Sequence, residues 1–454
     1  MKIITSVPKE DVYFEEENIA PGNVQEDSEC NIINVFDEIK YQEILGFGGA
    51  FTESAAYNYS QLTDEQKKLF MESYFSRKNG IGYNFGRTHI NSCDFSLDIY
   101  TYVEDGDSEL KTFSIERDKK YTIPFIKDAL KYCEDELVLF ASPWSPPAFM
   151  KDNESPIRGG SLKDEYKTVW ARYYAKYIKA MRAEGIVISA ITVQNEPKAR
   201  QPWESCYYSP EDERDFIEKH LAPTLDAEGL SDIRIIIWDH NKERVYDRSK
   251  KIFSSEAVKS RVWAVGHHWY SGDHFEGLRL VHEQFGKVLI STENCGSINR
   301  DLFTLAEIYG KELFGDLGNF TSAFCDWNLM LSDNGGPFHN RSEKTVSTSG
   351  TVFEDKSLGC AAPILYSSEK RELIFTPTYY YIGHFSKYVD RGAKRIATTK
   401  FSESIYAIAF KNPSGEIILV VMNVRDDDAP TVIRHNDVCT EIMMKPHSIM
   451  TVII

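Results

Sequence analysis

The feature that most constrains the fold is a repeated alternation of short apolar runs with longer amphipathic segments from about residue 41 onward. Such an alternation is typical of successive strand and helix units around a parallel sheet. Most of the runs are almost continuously apolar, as strands covered on both faces must be. Eight units predict a (β/α)8 or TIM barrel. The predicted strands are 43–51, 82–90, 137–142, 189–194, 233–238, 262–267, 287–292 and 321–329.

The segments between these runs carry apolar residues at three- and four-residue spacing, which predicts helices over 63–75, 164–184 and 210–225. Their ends agree with this interpretation. Thr63 is a suitable N-cap, Pro210 stands at a first helical position, and Gly185 follows a helix end.

The pattern changes after Tyr388 to strand-like runs over 401–410, 416–424 and 443–454, with turn signals and no helices between them. These runs predict an antiparallel β-sandwich, to which the N-terminal run 32–36 can add a strand. We therefore expect residues 1–40 to contribute to the sandwich, residues 41–386 to form the barrel, and residues 387–454 to form the rest of the sandwich. The length of 454 residues also favours one large domain with a smaller companion.

Charge narrows the class of partner. Asp and Glu total 69 against 52 Lys and Arg, a formal net charge of −17. This field repels a phosphate backbone and anionic lipid headgroups, so we expect no nucleic-acid partner and a small neutral substrate instead. No run approaches the roughly 18 apolar residues of a transmembrane helix, so stable membrane insertion is not expected.

The N-terminus and the cysteines bear on location. Pro8, Lys9, Glu10 and Asp11 interrupt the chain before a signal-peptide core can form. The eight cysteines include no C-x-x-C pair, which fits neither a zinc ribbon nor a dense disulfide framework. Both features favour a cytoplasmic protein with reduced thiols.

Two glutamates follow predicted barrel strands, and barrel chemistry takes place on the loops after the strand ends. Glu196 follows the fourth strand and Glu293 the seventh, each beside an asparagine, Asn195 and Asn294. Either glutamate alone could be a salt-bridged residue at a strand end. A pair over one barrel mouth is what cleavage of a glycosidic bond needs, because one carboxyl protonates the leaving oxygen while the other attacks or activates water.

Aromatic residues follow the same strand ends. Indole and phenol rings stack on the flat faces of sugars, so they suit a neutral carbohydrate pocket, although each ring alone could equally fill the core. These residues are Trp144, Trp203, Trp269, Tyr270 and Trp327.

Arg87 and Asp94 follow the second strand. They can form an ion pair with each other or hydrogen-bond sugar hydroxyls, and the residue types leave both interpretations open.

Cofactors and metals are not expected. The run Gly46 to Gly49 lacks the full spacing of a dinucleotide-binding loop. The histidines His267, His268, His274 and His282 show no H-E-x-x-H spacing and are better explained as structural or substrate-contacting residues.

Several sequence motifs in one order resemble glycoside hydrolase family 30, over about residue 41 to the C-terminus. The motifs are GFGGAFTESAA, SCDFS, SPWSPPAFM, QNEP, PWESCYYSPEDERDFI, VGHHWY, STEN and DWNLMLSDNGGP. The resemblance implies a (β/α)8 barrel with a side β-sandwich and hydrolysis with retention of anomeric configuration. It further implies that Glu196 is the general acid/base and Glu293 the nucleophile.

The resemblance also assigns the remaining site residues. It implies that Asp94, Trp144, Asn195 and Trp327 line the subsite for the cleaved sugar, and that Arg87, His268 and Tyr270 position the carboxylates. We add Trp203 as a substrate-binding aromatic. Two departures from the family pattern concern neighbouring loops. Many family members carry Ala or Cys immediately after the nucleophile, whereas this chain has Asn294 followed by Cys295. The segment 338–340 matches the family sequence poorly, so a substrate contact inferred for Asn340 is weakly supported.

We therefore predict a retaining β-glycosidase, an exo-acting β-glucosidase or glucosylceramidase-like enzyme, whose two carboxyl groups lie about 5 to 5.5 Å apart. The alternatives within the family are a β-xylosidase, a β-fucosidase and a β-1,6-glucanase. The alternative from another class is a carbohydrate-binding barrel without catalysis.

Overall fold

The computed structural model describes residues 1–22, 31–339, 344–346, 352–354 and 359–454, so Asn340 lies outside the described residues. Eight parallel strands close into a barrel, and each begins and ends within three residues of the bounds of a predicted strand, which confirms the barrel. The strands, in order, are Gly46–Phe51, Phe85–Ile90, Val138–Pro143, Ile188–Thr192, Arg234–Asn241, Val262–His268, Val288–Glu293 and Thr321–Asn328.

Side chains from seven of the eight strands fill the barrel interior, as in a packed core rather than a pore. One buried cluster takes a residue from nearly every strand, including Phe85, Phe140, Ile236 and Ile290. The first two strands approach closely at Gly48, where a Cβ atom would lie 1.4 Å from the carbonyl oxygen of Phe85. A side chain at this position is therefore incompatible with the strand pairing.

Helices surround the barrel as the periodicity predicts. The Thr63 side chain caps its helix by accepting a hydrogen bond from the Gln66 backbone amide, and the Gln66 side chain accepts one from the Thr63 backbone amide. The two hydrogen bonds form a capping box. The predicted helix 210–225 is interrupted by a π-helical turn over Ile217–Leu221. The α-helices are Glu53–Ser60, Asp64–Phe75, Thr122–Tyr132, Lys167–Ala183, Pro210–Phe216, Ala222–Ala227, Val245–Ile252, Glu256–Arg261, Phe275–Phe285, Leu302–Gly318 and Pro377–Ser386.

A nine-stranded sheet from both chain ends forms the β-sandwich, which confirms the predicted architecture. Ile3, Val35, Leu419 and Ile442 belong to one buried cluster although they come from distant positions in the sheet, so the sheet folds over its own apolar face. The strand order is Val12–Asn18, Lys2–Val7, Ser448–Ile453, Ile417–Asn423, Ile405–Lys411, Lys394–Lys400, Asn31–Glu43, Ala429–His435 and Val438–Met444.

The strand boundaries in the sandwich differ from the predicted ones. The predicted strand 443–454 is wrong, because a turn with His447 in the left-handed region (φ 49°) separates Val438–Met444 from Ser448–Ile453. Ala429–His435 was not predicted, since Pro430 argues against a regular strand.

Smaller elements and one helix complete the fold. Met330–Ser332, Ile364–Ser367 and Glu372–Phe375 form a three-stranded sheet, and Lys344–Val346 pairs with Val352–Glu354. His384 on the last helix connects barrel and sandwich, because its ring nitrogens lie 2.8 Å from Ser6 Oγ and 2.9 Å from Thr451 Oγ1. In the described part of the chain, no helix is long and apolar enough to cross a membrane.

Candidate active site

The mouth of the barrel holds a cavity of about 240 Å³ lined by both predicted catalytic glutamates. Glu293 is the last residue of the seventh strand, and Glu196 follows the end of the fourth strand. Arg87 and His268 are fully buried and contact these carboxyl groups from within the barrel. The structure thus brings all ten predicted residues together, the other six lining the same cavity: Asp94, Trp144, Asn195, Trp203, Tyr270 and Trp327.

Glu293 is held from two sides. Its Oε2 accepts a hydrogen bond from Arg87 Nη1 at 2.8 Å, and its Oε1 accepts one from the Tyr270 hydroxyl at 2.8 Å. Hydrogen bonds from a guanidinium to a carboxylate are shorter and stronger than neutral ones. Both donors therefore fix the Glu293 carboxylate and favour its ionised form.

Arg87 connects three elements of the site. Its Nη2 donates to Asn195 Oδ1 and to Asp239 Oδ2, both at 2.8 Å. The guanidinium also lies 4.7 Å from the ring centroid of Trp144. The sequence left open whether Arg87 forms an ion pair with Asp94 or hydrogen-bonds sugar hydroxyls. The ion pair with Asp94 is not formed, and Arg87 pairs with Asp239 and Glu293 instead.

Glu196 has a strained backbone. Its φ of 47° lies in the left-handed region, and its amide donates to the carbonyl oxygen of Asp239 at 2.9 Å. Asp239 has a left-handed φ of 49° as well. Non-glycine residues in this conformation cost of order 1–3 kcal/mol and concentrate at functional sites, where the surrounding structure enforces them.

His268 lies between the two glutamates. Its Nδ1 is 3.4 Å from Glu196 Oε1 and 3.9 Å from Glu293 Oε1, and its Nε2 is 3.0 Å from Asp239 Oδ1. Burial lowers the pKa of His268, but the charges of Glu293, Asp239 and Glu196 outweigh it and raise the pKa to about 9. His268 is therefore a cation at neutral pH.

The pKa values of the glutamate pair depend on these neighbours. Burial raises the pKa of Glu293 above its ordinary value against the charges of His268 and Arg87. Burial acts in the same sense on Glu196, but interactions with His240 and His268 outweigh it and lower the pKa of Glu196. Because burial lowers the pKa of His240 to about 4, His240 is neutral at pH 7 and does not favour the Glu196 carboxylate there.

Aromatic rings form the floor and the rim of the cavity. Trp144 and Trp327 stack with ring centroids 5.2 Å apart and are only 2% and 3% exposed, so they form the floor. Trp203 is half-buried at the rim. Trp269 does not line the cavity, because it packs on Tyr309 with centroids 4.6 Å apart.

The sequence analysis missed three consecutive residues of the site. Asp239, His240 and Asn241 end the fifth barrel strand, and His240 and Asn241 line the cavity. The strand-end argument that selected Glu196 and Glu293 would have selected them too, since the apolar run 233–238 was recognised as a strand. Within the described part of the chain, the donor atoms of Glu196, His240 and His268 lie close enough together to hold a metal ion.

Two loop features had weaker sequence signals. Cys360 lines the cavity from a segment beyond the last barrel strand, which nothing in its local sequence indicates. His339, in the segment that departs from the family pattern, donates its amide to the Asp94 carbonyl oxygen at 3.3 Å. Its ring Nε2 lies 3.0 Å from Glu204 Oε2, so His339 contacts both Asp94 and Glu204.

Comparisons with known proteins identify the family of the chain. The Glycosyl hydrolase family 30 TIM-barrel domain matches residues 44–389, and the family's beta sandwich domain matches residues 392–452. The lysosomal acid glucosylceramidase of Mus musculus is 31% identical over 89% of this chain and 80% of its own length.

Two solved structures are similar over nearly the whole chain. SrfJ from Salmonella typhimurium has a TM-score of 0.93 and 32% identity, covering 100% of this chain and 98% of its own. The endo-β1,6-glucanase BT3312 has a TM-score of 0.86 and 27% identity, covering 99% and 98%. The family models and these relatives extend over barrel, sandwich and site alike, and the chain therefore belongs to glycoside hydrolase family 30.

Proposed function

We propose that this glycoside hydrolase cleaves β-glycosidic bonds by double displacement with retention, using Glu293 as nucleophile and Glu196 as general acid/base. The observation that carries the proposal is the unequal environment of two carboxyl groups on one cavity. Glu293 receives hydrogen bonds from Arg87 and Tyr270. Among the described residues, the basic groups within ion-pair distance of Glu196 are the imidazole rings of His240 and His268. Different environments assign different roles to paired carboxyl groups.

The first step forms a covalent intermediate. The Glu293 carboxylate attacks the anomeric carbon while the bond to the leaving oxygen breaks and Glu196 donates its proton to that oxygen. The pair titrates as a unit, and the reactive form has the shared proton on Glu196. The hydrogen bonds that Glu293 accepts from Arg87 and Tyr270 support its ionised form in this state.

The second step releases the sugar. Glu196 is a carboxylate after the first step, and esterification removes the negative charge of Glu293 that would raise the pKa of Glu196. Glu196 therefore acts as a base and takes a proton from the attacking water. The water oxygen attacks the anomeric carbon, the ester bond to Glu293 breaks, and the β-configuration is restored. His268 lies within reach of both carboxyl groups throughout.

The cavity favours a single sugar unit. A volume of about 240 Å³ is below the roughly 300–1,000 Å³ of sites for drug-sized ligands, which supports exo-action on a small neutral β-glycoside. We assign Asp94, Asn195, Trp144 and Trp327 to the cleaved sugar and Trp203 at the rim to the leaving group. The preferred activity is that of a β-glucosidase or glucosylceramidase-like enzyme, and the similarity to BT3312 supports a β-1,6-glucanase as the second candidate.

The stereochemical test follows the first-formed anomer by proton NMR with a nitrophenyl β-glucoside. We expect the β-anomer to appear first and to mutarotate later. First appearance of the α-anomer would contradict retention, and binding of sugar without release would support a non-catalytic carbohydrate-binding barrel. Rates on nitrophenyl β-xyloside, β-fucoside and β-1,6-linked glucan then rank the alternative substrates.

Two variants test the roles of the glutamates. Glu293→Gln should lower kcat/KM by at least about 10⁴-fold on every substrate, because the nucleophile is lost. Glu196→Gln should lower kcat by about 10²- to 10⁴-fold on an unactivated disaccharide and much less on aryl glycosides, whose leaving groups need no proton. The exposed Glu283→Gln serves as a control with unchanged rates. Near-normal rates of both site variants on the disaccharide would refute the assignment.

A further inference from the structure

His240 is a buried ring without a role in the reaction described above. It is 9% exposed and lines the cavity beside Glu196. Among the described residues its Nδ1 has no hydrogen-bond partner, and Glu196 Oε1 lies 3.6 Å away, beyond hydrogen-bonding distance. An unsatisfied buried nitrogen costs free energy and indicates a strained site, a functional role or an absent ligand.

The neighbours of this nitrogen form a set of metal ligands. Nδ1 of His268 lies 3.4 Å from the same Glu196 Oε1, and the donor atoms of Glu196, His240 and His268 all lie within 4.8 Å of one another. Ligand atoms that bind one tetrahedral Zn²⁺ at about 2.0–2.1 Å are about 3.3 Å apart. Small side-chain shifts therefore suffice to bring all three atoms onto one ion.

The surroundings also suit a metal ion. Nε2 of His268 contacts Asp239 Oδ1 at 3.0 Å, the outer carboxylate–histidine arrangement that orients a metal-binding ring. Two imidazoles and one carboxylate favour zinc, copper or nickel over magnesium and calcium, which prefer oxygen ligands alone. Glu196 and His240 both line the cavity, so an ion between them would be accessible from the solvent.

We propose that Glu196, His240 and His268 bind a divalent transition-metal ion such as Zn²⁺, and that the bound ion inhibits the enzyme. On binding, the ion displaces the proton of His268 Nδ1 and that of the Glu196 carboxyl group to solvent, and it occupies the Glu196 carboxylate. Glu196 can then neither protonate a leaving oxygen nor activate water. Binding follows from the geometry alone, whereas inhibition rests on the proposed acid/base role of Glu196.

A second group in the cavity competes for the same ions. The Sγ atoms of Cys295 and Cys360 lie 3.0 Å apart, and both residues line the cavity. Thiolates are good zinc ligands. A test of the histidine site must therefore distinguish nitrogen and oxygen ligands from sulfur.

Cobalt and zinc together make that distinction. Titration of the whole protein with Co²⁺ should give visible absorption bands of a four-coordinate site without a thiolate charge-transfer band in the near ultraviolet. Zn²⁺ should displace the cobalt and inhibit hydrolysis of a nitrophenyl β-glucoside, EDTA should restore activity, and Mg²⁺ should have no effect.

Variants locate the site. His240→Asn should raise the Zn²⁺ dissociation constant at least about tenfold. The half-inhibitory Zn²⁺ concentration, measured relative to the activity of the variant without zinc, should rise by the same factor. The exposed His274→Asn is the matched control, and both it and Cys295→Ser should bind Zn²⁺ as the unsubstituted protein does.

The outcomes are separable. Equal zinc affinity of His240→Asn and the unsubstituted protein, or a thiolate band that Cys295→Ser removes, overturns the site. Absence of cobalt bands at millimolar Co²⁺ also overturns it and does not depend on whether His240→Asn folds. Binding to the nitrogen and oxygen ligands without inhibition leaves the site intact and contradicts the acid/base role of Glu196.

Discussion

The barrel mouth and the sandwich core are both buried, but they bury opposite kinds of groups. At the mouth, Arg87, Asp239 and His268 are fully buried beside Glu293, and Glu196 has a left-handed backbone. The sandwich core is an apolar cluster of aliphatic side chains from regular strands. Burying ion pairs adds little to stability, whereas burying aliphatic groups contributes about 25 cal/mol per Å². The mouth is thus arranged for chemistry and the sandwich for stability.

Among tests that leave both glutamates in place, the largest expected effect is at Asp239, which positions both Arg87 and His268. Asp239→Asn keeps the shape but removes the charge that orients the His268 ring, and loss of such an aspartate can cost about 10⁴ in kcat. We expect kcat on a nitrophenyl β-glucoside to fall by about 10²- to 10⁴-fold. Steady-state kinetics measures the loss.

The exposed Asp226→Asn is the control for the charge change itself and should leave kcat unaltered. If Asp239→Asn lowered thermal stability but kept its kcat, Asp239 would be a structural residue and the mouth would resemble the sandwich.

Strand ends explain how much of this site was predictable. Parallel strands of a barrel all end at one face, so Glu196 and Glu293, 97 positions apart in the chain, could be placed together from the apolar runs before them. Asp239 and His240 also lie at the end of an apolar run, so their place at the barrel mouth was predictable in the same way. The place of Cys360 was not, because long-range packing rather than any local pattern brings its segment to the cavity.

The sandwich was less predictable than the barrel for a physical reason. Its strands alternate buried and exposed residues only partly, as in Lys394–Lys400, where a single residue is buried. The N-terminal hairpin of Lys2–Val7 and Val12–Asn18 is stabilised by pairing with Ser448–Ile453 at the other end of the chain. Such pairing determines the strands more than intrinsic propensity does.

An intermediate effect, on stability alone, is expected in the sandwich. Met444 is fully buried, whereas its neighbour Met443 in the same strand is 48% exposed. Met444→Ala should lower the free energy of unfolding by about 2–5 kcal/mol because it leaves a cavity. Met443→Ala, the matched control, should change it by less than about 0.5 kcal/mol.

Chemical denaturation measures both values, and kcat of the folded variants should equal that of the unsubstituted protein. A change in kcat for Met444→Ala at full folding would show that the sandwich core influences the mouth and would break the division between the two regions.

The smallest effect concerns the junction of barrel and sandwich, where burial lowers the pKa of His384 to about 3. An unfolded histidine titrates near 6.5, so between about pH 6.5 and 3 the unfolded chain binds a proton that the folded protein does not. This residue therefore stabilises the fold less as the pH falls, by about 1.4 kcal/mol per pH unit over that range.

His384→Asn should lack this contribution, so its unfolding free energy should fall less steeply between pH 6 and 4. Denaturation at several pH values gives the slope of unfolding free energy against pH for each protein. The carboxyl groups common to both proteins contribute equally to the two slopes, so the difference between the slopes isolates the contribution of His384. Equal slopes would mean that His384 binds its proton in the folded state, and hence that the junction is as accessible to charge as the mouth.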